Sequence, residues 1–157
     1  MKKQSSVLLV LLGLLIMAGC ATTATLYPVQ GPLAQQASVQ TIEARVDGIM
    51  GNSGKITLTM PDGEVCKGRW SSVAPAFTTY SSAQASGSVS SGLANVWASV
   101  YGNGFAIGNV AGVNRGQAVL MGTRGAVIQV EFLTGSGTAN GYGVAVDNKG
   151  NTYKVLF

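Results

Sequence analysis

Few residues of this chain could act as an acid, a base or a nucleophile. Its 157 residues include six acidic residues, two cysteines and no histidine. Histidine is the commonest general base and the commonest metal ligand, so most hydrolase triads and most zinc, copper or iron sites are excluded. The candidates that remain are the thiol of Cys66 and the carboxylates of Asp62 and Glu64.

These candidates form a weak catalytic set. Asp62 and Glu64 are one residue apart in a predicted turn, where acidic side chains are usually solvated. Lys67 and Arg69 would activate the Cys66 thiol if they lay beside it, but in a regular strand both point to the opposite face. The Gly-x-Ser-x-Gly motif of serine hydrolases is missing from the sequence. We therefore expect a non-enzymatic protein, with a thiol-dependent or acid/base enzyme as the alternative.

Neither a cofactor nor a metal is predicted from the glycine-rich and acidic segments. Residues 102–104 and 135–137 have Gly-x-Gly spacing but lack the preceding strand and following helix of a dinucleotide site. Residues 147–151 contain oxygen ligands without the spacing and the distal glutamate of a calcium loop. A hairpin turn is the better interpretation of that segment.

The first twenty residues have the outline of a secretory signal peptide. Lys2 and Lys3 precede an apolar run at residues 7–18, and a small residue and a cysteine follow. A helix that spans a membrane needs about 17–25 residues, so this run is too short for a permanent anchor. We predict that residues 1–19 are cleaved.

The end of this segment carries a specific motif. Met17-Ala18-Gly19-Cys20 resembles the lipobox of bacterial lipoproteins, although methionine stands where leucine is usual. The resemblance implies a diacylglyceryl thioether on Cys20 and often an acylated terminal amine, and two or three acyl chains make membrane attachment effectively permanent. Because Ala21 takes the place of an aspartate that favours inner-membrane retention, the chain is similar to lipoproteins exported to the outer membrane.

A lipidated Cys20 would leave Cys66 without a partner in the chain. An unpaired cysteine in an oxidising envelope is buried, bridged to another chain or reactive. Burial is the expected state, because unpaired cysteine is among the most buried residue types.

The basic residues do not form a nucleic-acid footprint along the sequence. Beyond Lys2 and Lys3, eight basic residues face six acidic ones and are scattered over the chain. Contact with a phosphate backbone needs basic side chains clustered on one face, so no nucleic-acid partner is expected.

Alternation of apolar and polar residues predicts a single β-rich domain at residues 39–157. Residues 20–38 lack charge and periodicity and are predicted to be a lipidated N-terminus and tether, although the apolar residues 27–33 could instead dock on the domain. About seven strands and one short helix at residues 93–101 favour a small antiparallel barrel or sandwich.

The middle of the chain departs from the strand pattern. Residues 71–92 are rich in serine and alanine and carry no charge, which predicts a long loop. Glycines at every fourth position of residues 104–116 are interpreted as strand and loop glycines, with a helical packing stripe as the alternative. Four aromatic side chains, core residues by default, are a candidate surface for a ligand or glycan: Trp70, Tyr80, Trp97 and Tyr101.

These features together predict a lipoprotein of the outer membrane whose β domain faces the periplasm and has a structural or binding role. As a whole the chain resembles small envelope lipoproteins of Gram-negative bacteria. The implied partner is the membrane, reached through the N-terminal lipid, and an envelope protein or a glycan is left open as a second partner. The alternative is an envelope enzyme that uses Cys66 or the Asp62 and Glu64 pair.

Overall fold

The computed structural model describes residues 21–49, 51–73, 93–102 and 112–157. The predicted signal peptide, Cys20 and Tyr80 lie outside the described residues. Most of the predicted loop at residues 71–92 and most of the glycine-rich segment at residues 104–116 also lie outside them.

Eight antiparallel strands form a closed barrel in which each strand pairs with its neighbour in sequence and β8 pairs with β1. The prediction of a mainly β, antiparallel fold with one short helix is confirmed, with eight strands in place of about seven. The strands are β1 (Ala21–Gln30), β2 (Ile42–Asp47), β3 (Ser53–Thr59), β4 (Val65–Val73), β5 (Val113–Gly122), β6 (Val127–Gly135), β7 (Gly141–Asp147) and β8 (Thr152–Leu156).

The additional strand is β1, and it corrects the predicted tether. Residues 21–30 pair with β2 on one side and β8 on the other, so the domain begins well before residue 39. Ala24, Leu26 and Pro28 are buried and alternate with more exposed residues, which is the period of a strand. Pro28 cannot donate a backbone hydrogen bond, and the pairing with β8 shifts its register just after this residue. For residues 27–33, docking on the domain is the correct alternative.

The helix α1 (Ala94–Tyr101) packs on the outside of the barrel and confirms the predicted helix at residues 93–101. Gly102, with a φ of 98°, ends the helix and donates its N–H to the carbonyl of Ala98 at 2.9 Å. Among the described residues, no helix is long and apolar enough to cross a membrane. The helix and the outer face of β6 and β7 share a small hydrophobic cluster built on Leu93, Trp97, Leu133 and Val144.

The two ends of the barrel are built differently. At one end, called the closed end, the connections at residues 31–41, 60–64, 123–126 and 148–151 meet. At the other end, called the cavity end, β1 begins and β8 finishes beside the β2–β3 and β6–β7 connections. The main hydrophobic core lies inside the barrel between these two ends.

Candidate functional site

A cavity of about 540 Å³ lies inside the barrel and reaches the cavity end. This volume falls in the range of about 300–1,000 Å³ that is usual for small-molecule sites. The inner wall is formed by apolar side chains that alternate inward on the strands, and two of them are only alanines, which leaves the space open. The principal wall residues are Ala24, Leu26, Ile56, Leu58, Ala118 and Val130.

Three aromatic side chains also line the cavity: Trp70, Phe132 and Phe157. The rings of Trp70 and Phe132 meet edge to face at 6.2 Å between centroids, and those of Phe132 and Phe157 at 5.4 Å. The indole N–H of Trp70 donates to the carbonyl oxygen of Asp47 at 2.8 Å. Because its one polar atom is already paired, the Trp70 side chain offers an apolar surface to a ligand.

Two glycines make room for these aromatic rings. A Cβ at Gly116 would lie 2.2 Å from Cζ of Phe132, and a Cβ at Gly54 would lie 2.5 Å from Nε1 of Trp70. Gly116 is therefore a strand glycine that lies close to the ring of Phe132. This agrees with the interpretation of the glycines in residues 104–116 as strand and loop glycines, as far as that segment is described.

The rim of the cavity is polar but uncharged. Thr22, Asn52, Ser72 and Asn114 lie around it, together with the β6–β7 connection. Of the described residues that line the cavity, none is lysine, arginine, aspartate or glutamate. The site is therefore suited to a ligand with an apolar body and uncharged polar groups.

The structure divides the predicted aromatic surface. Trp70 alternates inward on β4 and lines the cavity, whereas Trp97 and Tyr101 belong to α1 outside the barrel. Trp97 is 2% exposed and stacks on Tyr101 with 5.4 Å between ring centroids. Burial raises the pKa of Tyr101 to about 12. Since a strand and an external helix carry them, these side chains do not form one binding surface.

The closed end is organised around Glu64. Its Oε1 accepts hydrogen bonds from the backbone N–H groups of Arg124 and Ala126 at 2.7 and 2.9 Å, and its Oε2 accepts one from Nζ of Lys149 at 3.2 Å. The hydrogen bond from Ala126 is the chief reason that the pKa of Glu64 lies below its usual value. Glu64 is 1% exposed, so the expectation of a solvated turn carboxylate is wrong for this residue.

Asp62 is exposed, as predicted, and shares a cation with Glu64. Lys149 Nζ lies 3.3 Å from Oδ2 of Asp62, and Arg124 Nη2 lies 3.0 Å from Oδ1. The backbone N–H of Glu64 donates to Oδ1 and is the main cause of the lowered pKa of Asp62. Both carboxylates are held ionised and are occupied by hydrogen bonds and ion pairs. This arrangement suits a structural contact that holds neighbouring turns together better than it suits proton transfer.

Asp147 holds the β7–β8 turn. Its Oδ1 accepts the backbone N–H groups of Lys149 and Asn151 at 2.9 and 2.8 Å. Its Oδ2 accepts Nδ2 of Asn151 at 2.8 Å and the hydroxyl of Tyr153 at 2.7 Å, and burial raises the pKa of Tyr153. The hairpin interpretation of residues 147–151 is confirmed. Hydrogen-bond donors from the same chain surround the carboxylate of Asp147.

Cys66 lies in the barrel core with no exposed surface, which confirms the expected burial. Burial is the main reason that the pKa of its thiol is raised, and the charge of Glu64 adds to the effect. Lys67 and Arg69 face outward, away from the sulfur, as strand alternation predicts. The thiol is therefore kept protonated and away from solvent.

The fold gathers basic side chains that are scattered along the sequence. Arg45, Lys55, Lys67 and Arg69 all face outward on β2, β3 and β4, and the strand register places Lys55 opposite Arg69. Arg45 makes an ion pair with Asp47 at 3.0 Å, while the other three make none with the residues that the structure describes. Sequence spacing missed this face because it depends on the register of three strands.

Comparisons with protein-family models, with curated proteins and with solved structures find no match to this chain. The function is therefore inferred from the barrel itself. Among the described residues, the cavity has the size and lining of a ligand site, and the closed end has the hydrogen bonding of a structural clamp.

Proposed function

We propose that this protein is a lipid-anchored component of the outer envelope that binds a small, uncharged, apolar ligand inside its barrel. The observation that carries the binding role is the cavity of about 540 Å³ with its apolar wall and uncharged rim. A charged group would lose its hydration there without meeting a described side chain of opposite charge. The ligand class is therefore apolar, with at most uncharged polar groups.

The proposed anchor is the lipid on Cys20. The Met17-Ala18-Gly19-Cys20 motif supports lipidation, and Ala21 supports export to the outer membrane with the domain in the periplasm. Intact-mass analysis of protein from native cells should give a chain that begins at Cys20 and carries fatty-acid mass. A different first residue, or a chain without that mass, contradicts the anchor.

The proposed role is non-enzymatic. It is supported by the buried, protonated thiol of Cys66 and by the engaged carboxylates of Asp62 and Glu64. Alkylation of the native protein near neutral pH should leave Cys66 unlabelled until denaturant is added. Rapid labelling of the native chain would instead favour the thiol-dependent enzyme.

Ligand binding is tested with the neutral apolar fluorophore N-phenyl-1-naphthylamine. The chain has two tryptophans, and Trp70 lines the cavity while Trp97 lies outside the barrel. In the mature chain carrying Cys20→Ala, which has no lipid, saturable energy transfer from tryptophan to the bound probe is expected. Trp70→Phe should change the affinity for the probe because Trp70 lines the cavity, whereas Trp97→Phe should leave the affinity unchanged.

A matched pair of substitutions on β5 controls for changes outside the cavity. Ala118 lines the cavity, and the neighbouring Val119 faces solvent with 51% of its surface exposed. Ala118→Phe should weaken probe binding by about ten-fold or more, while Val119→Phe should leave it unchanged. Equal binding by both variants, or the lack of saturable binding in the unsubstituted chain, would overturn the proposed binding role.

A further inference from the structure

The residue proposed to carry the lipid stands directly before the barrel. Cys20 is joined by one peptide bond to Ala21, the first residue of β1, so the sequence provides no spacer between anchor and barrel. Neighbouring Cα atoms are about 3.8 Å apart across a trans peptide bond. Ala21 pairs with Asp47 at the cavity end, which is therefore the end of the barrel nearest the anchor.

From this point β1 leads directly into the wall of the cavity. Thr22, Ala24 and Leu26 line the cavity in succession, because every second residue of β1 faces the barrel interior. Cys20 precedes each of these three residues by an even number of positions. The lipid is thus attached two residues from the cavity lining.

We infer that the cavity holds one fatty-acyl chain of the lipid on Cys20. This inference rests on the proposed anchor and on the proposed ligand cavity. The wall that the acyl chain would meet consists of aliphatic and aromatic side chains, among them Leu58, Trp70 and Phe132. Covalent attachment beside the cavity gives this acyl chain a high effective concentration that a free ligand does not have.

The charge of the cavity separates this occupant from a bilayer phospholipid. A phospholipid carries a phosphate, and its recognition calls for lysine, arginine or a cluster of backbone N–H groups. The described lining has no basic side chain. A diacylglyceryl thioether has no phosphate, and its ester groups are uncharged acceptors that suit the side-chain amides of Asn52 and Asn114 at the rim.

Photocrosslinking of the full lipidated protein tests the inference. Cells are fed a fatty acid with a diazirine at its end, which enters both the lipid on Cys20 and the bilayer phospholipids. The protein is purified in detergent, irradiated and digested, and the crosslinked peptides are identified by mass spectrometry. We expect crosslinks within one chain between the peptide that begins at Cys20 and the peptides that contain Leu58, Trp70 or Phe132.

The substitutions at Ala118 and Val119 provide the control. Ala118→Phe should reduce the yield of these internal crosslinks by about ten-fold or more, because it fills the space that the acyl chain needs. Val119→Phe should leave the yield unchanged. The unsubstituted protein gives the primary result, so a folding defect in the Ala118 variant does not decide the test.

Two results would overturn the inference and leave the proposed function standing. One is phospholipid mass on the cavity peptides, which identifies a bilayer lipid as the occupant. The other is the lack of cavity crosslinks in a chain that carries fatty-acid mass and whose unlipidated form binds the fluorescent probe. If the lipid mass or the probe binding is itself missing, the proposed function fails first.

Discussion

The same eight strands form both ends of the barrel, but the two ends differ in what occupies the barrel interior. At the closed end, Glu64 and Asp147 accept seven hydrogen bonds between them, from backbone and side-chain donors in the β5–β6 and β7–β8 connections and from Tyr153 of β8. At the cavity end, the cavity wall is apolar and includes two alanines, and the rim is polar without a charged residue among those described. The closed end is fixed by directional contacts, while the cavity end keeps open volume.

This difference shows how a small barrel can have both a stable shape and a void. A cavity removes packing contacts and therefore costs stability, and a buried carboxylate with complete hydrogen bonding gives a unique geometry. In this chain the two are separated along the barrel axis.

The largest difference is expected between two buried leucines. Leu120 is fully buried and does not line the cavity, whereas Leu58, which is 2% exposed, does. Leu120→Ala should lower the free energy of unfolding by about 3–5 kcal/mol, because it opens a new void in packed surroundings. Leu58→Ala should cost only about 2–3 kcal/mol, because it enlarges a space that already exists.

Urea unfolding of both variants measures this difference. The two substitutions remove the same atoms, so the comparison needs no correction for side-chain chemistry. Equal costs for the two leucines would mean that the cavity wall is packed as tightly as the rest of the core.

The second effect is a pH dependence that resides at the closed end. The pKa values of Glu64 and Asp62 are lowered in the fold, so their contribution to stability is complete above their ordinary values of 4.5 and 3.8. It is lost as the pH falls through the lower values of the folded chain. Glu64→Gln should reduce stability at neutral pH and flatten this acid-dependent loss, since glutamine cannot keep the charge that binds Lys149.

Urea midpoints measured from neutral to acidic pH test this prediction. Glu43→Gln is the matched control, because Glu43 is a glutamate exposed on the outer face of β2. The control should follow the unsubstituted chain at every pH. A Glu64→Gln curve parallel to that of the control would remove Glu64 as the source of the dependence.

The smallest effect is expected at the ion pair of the cavity end. Arg45 and Asp47 lie 3.0 Å apart, with 68% and 42% of their side chains exposed. Exposed pairs contribute little, so Arg45→Ala should change the free energy of unfolding by less than about 0.5 kcal/mol. The same urea assay measures it, and a loss comparable to that of Leu58→Ala would show that surface charge stabilises this end.

Local patterns in the sequence were enough to predict a mainly β antiparallel fold, as a barrel or a sandwich, with one short helix. Alternation identified most strands, and the spacing of Leu93, Val96 and Trp97 identified α1. β1 was missed because threonines occupy both of its faces and because Pro28 suggests a break. Its inward positions hold Ala24 and Leu26, and that alternation is the signal that could have found it.

The candidate site was less accessible from the sequence. Glu64 is an even number of residues away from the inward-facing Cys66 and Trp70. Because side chains of a strand alternate between two faces, the alternation of β4 alone could have indicated that Glu64 is buried. Its partners could not be inferred in this way, because Lys149 lies 85 residues away and meets Glu64 only after the barrel closes. The cavity volume likewise depends on how side chains from several strands fill a common space, which no local pattern specifies.

The barrel closes only when β8 pairs with β1, so folding of the barrel cannot finish before the last strand is available. A chain delivered with its N-terminus first presents one edge of β1 while seven later strands are still to come, and that edge finds its partner only when Thr152–Leu156 arrives. Until then the sheet is an open ribbon with two unsatisfied edges, and such edges invite association with other chains. A chain that still lacks its last strand should therefore associate with other chains more readily than the closed barrel does.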